Sequence, residues 1–481
     1  MRAAPKRHGG IMSLLGSLRR ELPGILPLFG PLLISQYAGI ANGVVDTAMA
    51  ARLGTLELGS VSVGVAIWIP LHLFTLGVLY GSLILISQRS GAGDREGVRK
   101  ISQQAMWLGL FLGSCAALAI CFLSYRIHWF GAAADLVAPA GEYMRMVAPG
   151  LPFAGVAIAL RFFCEGQKVV IPVTVMSVLM VCVNAFLNYC LMFGNFGAPA
   201  LGLRGCGLAT ALSSVAFLCM AALYIRFAKG SPGRNFFRSL YVPERAGLRE
   251  IAGVGVPIGF GITSEYLVFT VITLFIATVG TVAVAAHQVC FSSMMLLFAT
   301  PSALSVAASI RVGGLQGGND PAATREAIRG IMMLGGLIGL AFTGVMIGFA
   351  EPLIRIFTTD PAVLPLAVSV LYVAALFQFS DAVQVCLNGF LRGAGDTAVP
   401  FYLTAATYWL FCLPLGYVLS GMPLPFGLGL SPELFGIRGW WMSLTVSLSL
   451  VALLLALRVR RIFWATAAEH PTGVAPAQGQ A

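Results

Sequence analysis

The 481-residue chain is 58% hydrophobic and only 10% charged, with a mean hydropathy of +0.87, whereas a soluble domain carries about 25% charged residues. So little charge cannot cover a water-facing surface, which excludes soluble, disordered and fibrous classes and predicts a polytopic membrane protein. The 30 Lys and Arg outnumber the 19 Asp and Glu to give a net charge of +11, a value that reports nucleic acid or membrane topology according to where the charges sit.

Twelve apolar runs are long enough to cross a bilayer as helices. Their approximate limits are 25–50, 59–87, 105–125, 138–162, 170–193, 206–228, 252–280, 283–310, 328–350, 363–391, 399–421 and 437–457. The fold class is therefore all-α, with twelve transmembrane helices. The first run follows basic residues, and Ala48-Met49-Ala50 resembles a signal cleavage site. The run is too long for a signal peptide and contains Asp46, so it is read as a retained helix. Span one also carries Asn42 four residues before Asp46, on the same face, and a Gly39-x-x-x-Gly43 motif that predicts close helix packing. Glu165 closes span four near Lys168, a structural placement. Span five repeats the four-residue spacing with Asn184 and Asn188.

The basic stretch 229–250 then links two sets of six spans. Span seven holds Pro257, Gly259 and Gly261 before Thr263, Ser264 and Glu265; such residues loosen a helix ladder and free carbonyls for a cation or a hinge. His287 and Gln288 open span eight, where His287 reads as a core histidine. Span ten carries Gln378, Asp381, Gln384 and Asn388 as a polar stripe at helical spacing. The tail after about 465, with Pro471 and Pro476, reads as disordered. The ten Cys lie mostly in apolar runs with no C-x-x-C pair, and read as small buried hydrophobes.

Basic residues alternate between sides. The N-terminus, alternate loops and the C-terminus hold most of them, while the opposite loops and span ends hold only Arg52, Arg126, Arg145, Arg204, Arg355 and Arg438. That asymmetry predicts both termini in the cytoplasm. It explains the positive charge by topology and anionic lipid, with no nucleic-acid partner. The two halves also look duplicated. Leu201-Gly202-Leu203-Arg204-Gly205 opens span six as Phe435-Gly436-Ile437-Arg438-Gly439 opens span twelve. Ile127 and Phe130 match Ile354 and Phe357, and Phe163 and Gly166 match Phe390 and Gly393. Parallel six-helix repeats suit transporters that rock two bundles around a central site.

Only Asp46, Glu265 and Asp381 among the acids lie well inside spans. A charge at the bilayer centre costs about 2.5–3.5 kcal/mol on insertion scales, and no Lys or Arg is expected deep in a span to neutralise these three. They must take up a proton, bind a cation or face water. There is no P-loop, no H-E-x-x-H and no G-x-S-x-G elbow, so the chain is not read as an enzyme, and uphill transport would draw on an ion gradient or a separate subunit.

Four segments together resemble the multidrug and toxic compound extrusion (MATE) family, in its NorM-like branch, over roughly 25–460. They are Gly43-Val44-Val45-Asp46-Thr47-Ala48-Met49-Ala50; Ala285-Ala286-His287-Gln288-Val289, some twenty residues after Glu265; Asp381-Ala382-Val383-Gln384 with Leu391-Arg392-Gly393 and Asp396-Thr397; and Asn184 to Asn188 followed by Gly194, Pro199 and Gly205. The resemblance implies two six-helix lobes, a V-shaped cavity, and export of bulky, often cationic compounds against Na⁺ or H⁺, with no cofactor. It implies that Glu265 and Asp381 form a C-lobe cation site, where Na⁺ is one alternative, and that Asp46 with Asn184 and Asn188 forms an N-lobe ion or proton site. The branch often has Tyr one turn before the span-ten acid; Phe377 stands here and removes one oxygen ligand. Asn42, Gln288, Gln378, Gln384 and Phe377 are candidates for the substrate cavity. The expected organisation is a cytoplasmic segment 1–24, an N-lobe 25–228, a linker 229–250, a C-lobe 251–460 and a cytoplasmic tail 461–481, in a monomer of the bacterial inner membrane. The alternatives are a lipid-linked saccharide flippase of the same superfamily and a passive channel.

Overall fold

The computed structural model describes residues 11–228, 233, 236–421 and 435–464. The beginning of the 1–24 segment, part of the 229–250 linker and the tail after 464 lie outside the described residues. Among the described residues there is no strand, and twelve helices are long and apolar enough to cross a membrane. They are α1 (Ile11–Leu53), α2 (Thr55–Gly91), α3 (Arg95–Ser124), α4 (Ala134–Gly166), α5 (Ile171–Phe193), α6 (Leu203–Phe227), α7 (Arg245–Ala277), α8 (Thr281–Gly317), α9 (Pro321–Gly348), α10 (Leu364–Gly393), α11 (Ala398–Leu419) and α12 (Ile437–Trp464).

Local deviations follow the sequence. α1 begins well before residue 25 and runs through Pro23, Pro27 and Pro31, because the apolar window marks lipid contact and not the reach of the backbone ladder. α4 tightens into a single 3₁₀ turn at Ala148–Gly150, where Pro149 has no N–H to donate. α11 widens into a π-helical turn at Thr407–Cys412, a local irregularity that often accompanies function. α7 continues through Pro257 as one helix.

The repeat is visible in matched environments. Ile127 and Ile354 are both fully buried in short helices after α3 and α9, while Phe130 and Phe357 are both exposed. Phe163 near the end of α4 and Phe390 near the end of α10 are likewise both buried.

The lobes α1–α6 and α7–α12 meet along one half of their length, the half that carries residues 17–37, 74–91, 247–260, 300–330 and 386–393. There Gln36 donates to Ser302 (2.7 Å), Tyr37 bonds Thr300 (3.3 Å) and Gln88 donates to the Gly393 carbonyl (2.9 Å). Arg311 pairs with Glu21 (2.6 Å), Arg89 with Glu250 (2.7 Å), and Arg20 with Glu326. A shared apolar cluster joins Ile25, Leu28, Leu79 and Leu83 of one lobe to Ile258, Leu304 and Leu391 of the other. Lipid tails are as apolar as leucine, so such contact holds helices together in a bilayer through close packing rather than water exclusion. α2 and α7 achieve this closeness at glycines: a Cβ on Gly77 would lie 2.5 Å from the Gly259 Cα. Gly259 thus serves helix approach rather than a broken ladder. In the other half, each lobe packs its own apolar cluster, and the lobes share no hydrogen bond or ion pair among the described residues.

The described part of the linker is clamped to α3. Gln103 donates to the carbonyls of Phe236 (2.6 Å) and Ser239 (3.0 Å) and accepts from Tyr241 N–H (2.7 Å). Gln104 donates to the Val242 carbonyl (2.8 Å) and accepts from Glu244 N–H (2.8 Å). Both glutamines are buried; each amide satisfies strap backbone that would otherwise be left unpaired.

Candidate functional site

A cavity of about 820 Å³ lies within the N-lobe, walled by α1, α2, α4, α5 and α6. That is the size of a drug-binding cleft. Asp46 lies on its wall, 8% exposed. Asn188 Nδ2 donates to Asp46 Oδ1 at 2.6 Å and also contacts Asn184 Oδ1 at 3.1 Å. Thr210 Oγ1 lies 3.3 Å from Asp46 Oδ2, but its single proton is shared with the Cys206 carbonyl at 3.1 Å. The four-residue spacing on α5 thus puts both asparagines on the face that meets α1. Asn184 Nδ2 and Asn188 Oδ1 are buried without partners.

Asn42 lines the same cavity, with a buried unpartnered Oδ1. Gly39 and Gly43 line it too, and a Cβ on either would meet nothing within 4 Å. The expected close helix packing at this motif is therefore overturned: the two glycines widen a cavity. Arg161, His72, Trp68 and Tyr143 also face the cavity. Arg161 lies near the end of α4 and serves none of the three span acids. Its Nε donates to Glu165 Oε1 at 2.7 Å, one helical turn on, and Glu165 is fully buried with Oε2 unpartnered. Glu165 is structural as expected, but its partner is Arg161 and not Lys168. The i, i+4 spacing was the available signal.

The C-lobe acids have different surroundings. Asp381 on α10 is 6% exposed, and Glu265 on α7 is half-buried and faces it. Gln378, Gln384 and Phe377 are 0–2% exposed. They lie in the C-lobe and do not line the described cavity, because the polar stripe of α10 turns into its own lobe. Both amide atoms of Gln378 and Oδ2 of Asp381 lack hydrogen-bond partners, and Gln384 lies beside Glu265. Each such buried group costs about 1–3 kcal/mol. Gln288 is exposed on α8, away from that cavity. His287 is a core histidine, stacked on Phe291 and tilted against Trp441, with Nε2 3.0 Å from Thr273 Oγ1 and Nδ1 unpartnered.

Sequence reasoning missed Tyr408. It is buried in the π-helical turn of α11, with its hydroxyl facing Glu265 and Asp381. The oxygen that Phe377 cannot supply from α10 is available from α11. Arg392 lies 5.4 Å over the Tyr80 ring. Among the described residues no three His, Cys, Asp or Glu side chains cluster as a metal site; any cation here would meet carboxylate, amide and hydroxyl oxygens.

A family model described as MatE matches residues 31–190 and 257–418, once in each lobe. The chain belongs to the MATE family. It is 34% identical over 450 residues to the multidrug resistance protein PmpM of Pseudomonas aeruginosa, covering 92% of both chains. It is 32% identical to the multidrug resistance protein MdtK of Yersinia pseudotuberculosis, covering 92% of this chain and 95% of that one. Solved structures share the MATE fold. The eukaryotic MATE transporter AtDTX14 superposes with a TM-score of 0.82 at 22% identity, over 92% of this chain and 96% of that one. An outward-facing multidrug resistance MATE family transporter gives 0.82 at 19%, over 95% and 98%.

Proposed function

We propose that the chain is a secondary antiporter that exports bulky, often cationic organic compounds across the bacterial inner membrane, driven by inward movement of Na⁺ or H⁺. The observation that carries this reading is the placement of Asp46 on the wall of the 820 Å³ N-lobe cavity, tied to Asn188. An amphiphilic cation gains apolar contact and a carboxylate in one place, and a coupling ion that neutralises that carboxylate opposes it. The names of the relatives, PmpM and MdtK, are those of multidrug resistance proteins and support the substrate class.

With both termini cytoplasmic, the half where the lobes meet is the cytoplasmic half, and the cavity belongs to an outward-facing state. Glu265 and Asp381, with Gln378, Gln384 and Tyr408 around them, form the second ion site. Its unpartnered oxygens are ready to accept a cation or share a proton. Ion binding drives the cycle only through differential affinity for the two states. The flippase alternative asks for a cationic cavity. Arg161 is the one Lys or Arg among the lining residues, and Glu165 neutralises it, which favours the exporter.

The test is drug uptake into proteoliposomes of the purified chain, with a Na⁺ gradient and a pH gradient imposed separately. Concentrative transport with one or both is expected. Equilibration that ignores both gradients would make the chain a passive channel.

A further inference from the structure

A second cavity, of about 400 Å³, opens at the seam between the lobes, in the half where they meet. Its polar groups come from both lobes. Lys168 belongs to the turn between α4 and α5, and Arg311 lies near the end of α8. One acid serves this pair: Arg311 Nε donates to Glu21 Oε1 at 2.6 Å and Nη2 reaches Oε2 at 3.4 Å. Lys168 has no ion pair or side-chain hydrogen bond among the described residues. Its ammonium instead reaches across the seam, 3.6 Å from where a Cβ on Gly314 would stand. Lys168 is exposed at the cavity, so its ammonium is open to a ligand.

Two further features shape the cavity. The Lys168 backbone is left-handed, φ 65°, a conformation that disfavours lysine and that glycine or asparagine adopts freely. The cavity also includes Val170, Ile171 and Pro172 at the N-terminus of the 23-residue α5, whose dipole adds a partial positive charge. Opposite lie Pro27 and Leu28 of α1, and Ile171 at the rim is 65% exposed. The site is thus cationic at its head and apolar at its margin.

We propose that this seam cavity binds the phosphate of an anionic phospholipid headgroup, held between Lys168 of one lobe and Arg311 of the other, with the acyl chains leaving past Ile171. Basic pockets between helices at headgroup level take such ligands. A ligand that touches both lobes holds them in the arrangement seen here, so membrane composition would set how readily the lobes part. A free phosphate offers the same head chemistry without the apolar margin.

The experiment is thermal unfolding of the purified full chain in neutral detergent, titrated with phosphatidylglycerol, phosphatidylcholine or inorganic phosphate. Phosphatidylglycerol is expected to raise the midpoint where phosphatidylcholine does not. Lys168→Gly relieves the backbone strain, so the variant should fold. It is expected to weaken the phosphatidylglycerol effect about fivefold, while Lys168→Arg retains it. Equal responses to the two lipids, or an undiminished response in Lys168→Gly, overturn the site. Inorganic phosphate acting as strongly as phosphatidylglycerol would overturn the lipid source and assign the cavity to free phosphate.

Discussion

The two lobes are duplicates in fold but not in how they hold their acids. In the N-lobe, Asp46 borders an open cavity and is satisfied by Asn188, with Thr210 close by. In the C-lobe, Asp381 lies among two glutamines with its Oδ2 unpartnered, facing a second carboxylate and a tyrosine. The N-lobe carboxylate is held by Asn188, although Asn42 Oδ1, Asn184 Nδ2 and Asn188 Oδ1 around it are unpartnered. The C-lobe carboxylate Asp381 has no such tie, which under the proposed mechanism leaves it for a small ion or a proton. The two halves repeat the same helices, and the polar residues placed on them differ.

The largest expected effect tests whether the N-lobe cavity rests on its one internal ion pair. Arg161→Ala leaves the fully buried Glu165 without its cation and should cost about 3 kcal/mol of stability. Thermal unfolding in detergent reads this, and adding Glu165→Gln should recover much of it. A stable Arg161→Ala would mean that water from the cavity already solvates Glu165.

The contrast between the lobes makes an opposite pair of expectations for their acids. Asp381→Asn should leave stability unchanged or raise it, because it removes a poorly partnered buried charge, yet gradient-driven efflux should fall more than about tenfold, the factor for ~1.4 kcal/mol of coupling. Asp46→Asn exchanges a charge-assisted hydrogen bond for a weaker one and should lower stability by about 1–2 kcal/mol. Unfolding midpoints and proteoliposome efflux, measured on both, separate the two. If Asp46→Asn were the stabilising substitution, the comparison would be inverted.

The smallest effect concerns Tyr408. Tyr408→Phe keeps the packing and removes the hydroxyl that faces the C-lobe acids. The ion concentration for half-maximal efflux should rise about three- to fivefold, the factor for one ordinary hydrogen bond, with the unfolding midpoint unchanged. No rise would place the hydroxyl outside the ion's reach.

The spans were legible because a bilayer demands long apolar runs, and the three acids because charge among them is costly. What the sequence could not say was which way a small or polar residue faces. Gly39 and Gly43 have the spacing of a packing motif and border a cavity; Gly259, expected to loosen a helix, lies against α2 instead. Glycine permits close approach but does not choose the neighbour. Glu165 lies near Lys168 along the chain, whereas α4 turns it back to Arg161 and Lys168 lines the lobe seam. Tyr408 stayed hidden because its role depends on a widened turn of α11 beside α7, a meeting no local pattern encodes.

The strap that Gln103 and Gln104 fasten to α3 changes how the connection between the lobes behaves mechanically. A free segment of this length would be a slack tether that permits sliding and separation alike. Fastened from Phe236 to Glu244, one residue before α7 begins at Arg245, the described strap gives α7 no slack where it leaves α3. While the fastening holds, one lobe is joined to the other as a door is to its frame, free to swing about that edge but not to drift from it.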